Sequence, residues 1–281
     1  MKIRNKTLLT SVFLLPFSAF LGLGARVLSL HLFALLFKVW NLTEATFAYA
    51  PVRIQRLAGL TGSISDLCFL IFFSIPLVLY TKNLRMRFRK KHLVFAASGV
   101  LLSILTVGVF LIAGSARMPK RIVLPGLSAF LTTALTDFFS VFALAHLARK
   151  APRKMFEKNQ PVRLILSILL EAVFWVVSQK SLSPVFLLNA CLSGFLLFIL
   201  FNRTDSILPE ILLLFSFRFF TRFIFGFPDL GGAYPVSEPL LTGGAGGVSH
   251  SVLLSFYLVI LAVYAFFRMY KFRKGDSHVS P

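Results

Sequence analysis

The chain has 281 residues, 57% of them hydrophobic and 14% charged, with 33 Phe and a formal net charge of +20. A soluble domain carries roughly 25% charged residues, so this composition excludes an ordinary soluble globular protein and places most of the mass in a bilayer. Lys and Arg fall in short clusters between apolar runs, which is the pattern of topogenic charge and argues against nucleic acid as a partner.

Crossing the hydrocarbon core takes about 20 apolar residues, and backbone groups in lipid must be satisfied within the segment, so such runs are helices. Eight runs qualify: 8–37, 62–81, 93–114, 123–148, 162–178, 184–201, 206–226 and 251–267. The expected fold is an all-α polytopic membrane bundle of about eight transmembrane helices. The N-terminus, "MKIRNKTLLTSVFLLPFSAFLGLGA", imitates a secretory signal, but its apolar stretch continues to Phe37. A signal core is only about 7–15 residues long, so the first run reads as an uncleaved helix.

Charge between the runs sets the expected orientation. The start carries Lys2, Arg4 and Lys6; "KNLRMRFRKK" follows the second run and "RKAPRKMFEKNQ" the fourth; the tail carries Arg268, Lys271, Arg273 and Lys274. With eight spans these regions share one side, so both termini are expected in the cytoplasm and the protein in the cell (plasma) membrane. "ARMPKR" is the one local violation, and the loop 227–250 has no Lys or Arg. The basic clusters also attract anionic lipid headgroups. The proline-bracketed "APRKMFEKNQP" separates an N-terminal four-helix region, 1–150, from a second four-helix region, 161–267, before a basic tail, 268–281.

Cys68 and Cys191 both lie in apolar runs and read as packing residues, with no disulfide or metal spacing. Ionisable residues within the runs are more informative, since each costs at least ~2.5–3.5 kcal/mol near a helix centre. They are Arg26, Asp66, Asp137, Glu171, Glu210, Arg218 and Arg222. Asp66 and Glu210 are expected to cap helices or to meet the dipole of a first turn. Asp137 is expected to bond a neighbouring Thr or the backbone, or to form an ion pair. Glu210, Leu214, Arg218 and Arg222 are spaced four apart and form one stripe. Arg222 can reach the interface, whereas Arg218 sits deeper and calls for an acidic partner. His31, His92, His146, His250 and His278 all lie outside the fifth to seventh runs, and neither H-E-x-x-H nor G-x-S-x-G occurs. His31 and His146 read as structural histidines.

Residues 160–267 resemble one family. "LLEAVFWVV" resembles the E-E-x-x-F-R-G helix of the CAAX-protease and bacteriocin-processing (CPBP) intramembrane proteases. "NACLSGFLLFILFNRTDSILPEILLLFSFRF" is similar to the stretch after the family's second motif, which leads into a helix carrying H-x-x-x-N. "FGFPDLGGAYPVSEPLLTGGAGGVSHS" resembles a Gly-rich loop before the family's last helix. Aligned on Phe174, the paired acids fall on Leu170 and Glu171 and the Arg on Trp175. The F-x-x-x-H motif has no counterpart in "SQKSLSPVFLLNA", and counting from Thr204 and from Gly226 puts the family His at Leu214 and its Asn at Arg218.

The resemblance therefore implies a vestigial site of Glu171, Trp175, Leu214 and Arg218 with no catalytic residue assigned, no metal and no cofactor. It implies an ion pair between Glu171 and Arg218. The expected partners are the lipid bilayer and a membrane peptide or protein held in the old substrate cavity. Two alternatives stay open: an active endopeptidase with Glu171 as base, and an unrelated transporter or channel using Asp137, Glu171 and Arg218 as a polar pathway.

Overall fold

A computed structural model describes residues 2–40, 52–81, 92–112, 127–157, 159–179, 182–221 and 251–275. Among these residues there is no strand. The helices are α1 (Lys2–Val39), α2 (Val52–Thr81), α3 (Leu93–Ile112), α4 (Leu127–Ala145), α5 (Ala151–Met155), α6 (Gln160–Gln179), α7 (Pro184–Thr204), α8 (Leu208–Phe219) and α9 (Val252–Gly275). A π-helical turn, His146–Lys150, joins α4 to α5. The described part of each of the eight expected apolar runs falls largely on a helix. Among the described residues five stretches are long and apolar enough to cross a bilayer: Phe13–Val39, Leu60–Thr81, Phe130–Met155, Gln160–Val177 and Pro184–Thr204. Leu93–Val109 and Val252–Val263 are shorter apolar helices. The Gly/Pro-rich loop 227–250, the clusters 82–91 and 116–121, and Arg222 lie outside the described residues.

The helices group into two compact units, one holding α1, α2 and α4 and the other α3 and α5–α9. In the first unit α1 and α2 run antiparallel. Gly22 of α1 comes so close to Phe69 of α2 that an added Cβ would lie 2.8 Å from its ring, and four residues on Arg26 meets Asp66, three residues back. α2 also packs on α4, where Thr81 Oγ1 and His146 Nδ1 lie 2.8 Å apart in a buried pair. His31 Nδ1 lies 2.9 Å from the Val27 carbonyl, one turn earlier in α1.

One expectation is corrected here. Asp66 does not cap a helix, because α2 begins at Val52 and places Asp66 mid-helix. The apolar criterion missed "VRIQRLAGL", whose charged residues do not prevent the backbone from continuing its hydrogen-bond ladder outside the hydrocarbon zone.

In the second unit α7 is the hub, packed on α6, α8 and α9, while α3 packs on α8. Local chemistry sets the helix ends. Pro184 opens α7 and Pro209 opens α8, where a missing N–H costs nothing. Asp205 closes α7 in the left-handed conformation at φ 55°, its N–H bonded to the Phe201 carbonyl at 2.8 Å. Arg153 of α5 pairs with the Asp205 carboxylate and lies over the Phe201 ring, 5.5 Å from its centroid. Asn189 of α7 donates to the Ser251 carbonyl at 3.1 Å, tying the start of α9 to the hub.

Gly99 shows why α3 belongs with these later helices. A Cβ there would lie 2.4 Å from the Leu213 carbonyl oxygen of α8, so only a glycine permits this contact. Gly108, about two and a half turns on, has no atom within 4 Å of where its Cβ would stand. Gly99→Ala should therefore destabilise the protein by ~1–3 kcal/mol through overpacking. Gly108→Ala should be neutral or slightly stabilising. Unfolding midpoints in detergent check both, and equal midpoints for the two variants would contradict the α3–α8 contact.

Candidate functional site

The site begins with a proline. Pro152 sits in the first turn of α5 and brings no N–H to the carbonyl four residues earlier, that of Ala148. That carbonyl accepts the Ser167 hydroxyl of α6 and, at 3.3 Å, Nη1 of Arg149. The π turn that carries Arg149 is a form often found at functional positions. Its guanidinium is fully buried and bridges two acids. Nη2 bonds Oε2 of Glu171, and Nε bonds Oε2 of Glu210 at 3.2 Å. Nη1 donates to Ser167 Oγ at 2.7 Å. The side chains of Glu171 and Glu210 are 1% and 0% exposed.

Glu171 reaches from this cluster towards α7. Ser193 Oγ lies 3.0 Å from Glu171 Oε1 and from the Ala190 carbonyl, and shares its proton between them. Gly194 makes this approach possible, since a Cβ there would sit 3.3 Å from Ile168 Cα and 3.4 Å from Glu171 Oε2. Glu210 stands in the first turn of α8, as expected, and adds an ion pair that the stripe alone did not indicate.

Next to the cluster lies a cavity of about 750 Å³ formed by α3, α6, α7, α8 and α9. Its wall is mostly leucine and phenylalanine, and it includes all four expected positions, Glu171, Trp175, Leu214 and Arg218. The Arg218 guanidinium lies over the Trp175 ring, 4.8 Å from its centroid, a cation–π contact. Asn189, Ser193 and Tyr257 add polar atoms to the wall. Leu170 is not part of it.

The expected ion pair between Glu171 and Arg218 is corrected. Among the described residues, the cation paired with Glu171 is Arg149. Arg149 opens the basic cluster after the fourth run, yet it lies on the π turn just before Pro152 and is buried inside the unit. A signal was present: Glu171 and Glu210 both required cations, and an Arg directly after an apolar run can fold inwards as readily as outwards. Asp137 is buried in α4, which belongs to the other unit. Among the described residues no group of three or more His, Cys, Asp or Glu could hold a metal.

The cluster makes a stability prediction. Arg149→Met leaves two buried carboxylates without their cation and should cost ~3–5 kcal/mol. Combining it with Glu171→Gln and Glu210→Gln should recover most of that loss. Unfolding midpoints of the single and triple variants check this, and a triple variant less stable than Arg149→Met would contradict the pairing.

No known protein family, no curated protein and no solved structure matches this chain.

Proposed function

We propose that this chain is a multi-pass protein of the cell membrane, with eight spans and both termini cytoplasmic, that resembles the CPBP intramembrane proteases but acts by binding. It holds a segment of a membrane peptide or partner protein in the cavity of the second unit. The observation that carries the reading is the state of Glu171. Its carboxylate faces the cavity wall, yet one oxygen is held by Arg149 and the other by Ser193. A general base must be reachable by a water or substrate proton, and this side chain is 1% exposed with each oxygen already engaged by a structural partner.

The cavity suits a peptide guest. Its volume falls within the ~300–1,000 Å³ of typical ligand sites, and an apolar wall with a few placed polar groups is their usual make-up. Leucine and phenylalanine faces accept apolar side chains. Asn189, Tyr257 and Arg218 offer partners to the backbone groups of a locally unwound segment, which lipid cannot satisfy. Trp175 and Arg218, at the positions aligned with the family's Arg and Asn, contact each other.

The buried Arg149–Glu171–Glu210 cluster favours one other reading, a solute or ion pathway, because intramembrane charge commonly marks such pathways. Substrate-dependent flux in liposomes that Glu210→Gln removes would establish that reading instead.

The binding reading is tested by placing a photo-crosslinking phenylalanine analogue at Leu214 and irradiating native membranes. The expected result is an adduct of polypeptide mass, reduced about tenfold when Ala190→Trp fills the cavity, as a loss of ~1.4 kcal/mol in affinity would give. Adducts of lipid mass only would overturn it. So would cleavage of the captured peptide that Glu171→Ala abolishes.

A further inference from the structure

A second feature is independent of the cavity and lies wholly in the first unit. Arg26 Nη2 and Asp66 Oδ1 form an ion pair 3.0 Å long between α1 and α2, with side chains 42% and 51% exposed. Arg26 is the central residue of the 27-residue apolar stretch Phe13–Val39. At 1.5 Å per residue it lies roughly 20 Å from either end of that stretch, and so at least ~10 Å inside either edge of a ~30 Å hydrocarbon core that the stretch spans. That is beyond the reach of an arginine side chain, so the pair cannot be relieved by snorkelling. Lipid headgroups cannot reach it for the same reason.

The surface around the pair is shaped for close contact. Leu23 and Leu30, on the same side of α1 as Arg26, are exposed. Gly62, one turn before Asp66 on α2, has no atom within 4 Å of where a Cβ would stand. Small residues that let backbones approach, combined with polar groups, are what membrane helices use to associate. Half-exposed charges at mid-depth cost several kcal/mol against hydrocarbon, so this face requires protein cover.

We infer that the cover is a second copy of the chain, and that the α1–α2 face around Arg26 and Asp66 is a homodimer interface. The argument is charge complementarity. A two-fold axis along the membrane normal keeps every residue at its own depth. It also exchanges left and right across the interface, so Arg26 of one copy faces Asp66 of the second copy, and the reverse. The two ion pairs close into a ring of four alternating charges. One patch carrying both signs is complementary to itself and needs no second kind of partner.

The test uses the full chain in liposomes, with subunits counted by single-molecule photobleaching at increasing dilution, for the wild type, Arg26→Asp and Asp66→Arg. The wild type should be dimeric. Each single variant should lose the dimer, since its ring would hold four like charges. The two variants reconstituted together should form a mixed dimer, because each supplies the sign that the other lacks. A variant too unstable to prepare alone is co-expressed with its complement, and rescue of its yield counts for the proposal. A monomeric wild type at every dilution overturns the proposal whatever the variants do. So does a wild-type level of dimer in Arg26→Asp, or failure of the two complementary variants to associate.

Discussion

A guanidinium with no exposed surface sits between two carboxylates, and the second unit is arranged around it. Removing three charges from water costs several kcal/mol for each ion, and their attraction offsets this only when the remaining donors are also satisfied. Four of the five Arg149 N–H groups are engaged: Nε and one Nη2 hydrogen go to the acids, and Nη1 goes to Ser167 and the Ala148 carbonyl, while Glu210 Oε1 has no hydrogen-bond partner among the described residues. The arrangement requires α6 and α8 to converge on Arg149 within hydrogen-bond distance. α6 brings Ser167 and Glu171, α8 brings Glu210, and Gly194 lets α7 close against α6 behind them.

The same convergence shapes the cavity. Glu171 belongs to both: its carboxylate is part of the buried cluster and also part of the wall. That dual position decides its chemistry. A carboxylate locked by an arginine on one oxygen and a hydroxyl on the other accepts hydrogen bonds and organises helices. One turn along α6 from Glu171, Trp175 underlies the Arg218 guanidinium of α8, so this cation of the wall is held by a cation–π contact.

Particular residues show what the sequence made legible. The apolar runs located the helices, and four-residue spacing placed Leu214 and Arg218 on one face, which the cavity wall bears out. The four positions drawn from the family resemblance line one cavity, although which cation meets Glu171 was read incorrectly. Spacing within a helix cannot reveal a partner on another helix. Arg149 was hidden for a second reason. A basic residue after an apolar run looks topogenic, and only the π turn and the missing N–H of Pro152 turn it inwards. Asp66 was misplaced because the helix starts at Val52, well before its apolar part.

The sequence by itself determined the class of the protein: apolar runs of membrane length, which lipid compels to be helices because nothing else there satisfies the backbone. It also determined which residues share a helix face, since that depends only on the 3.6-residue period. The tertiary structure alone decided the charge pairing. Arg149 is 22 residues from Glu171 and 61 from Glu210 along the chain. Coulomb attraction and hydrogen bonding fall off over a few ångströms of space, and only the packing of separate helices sets those distances.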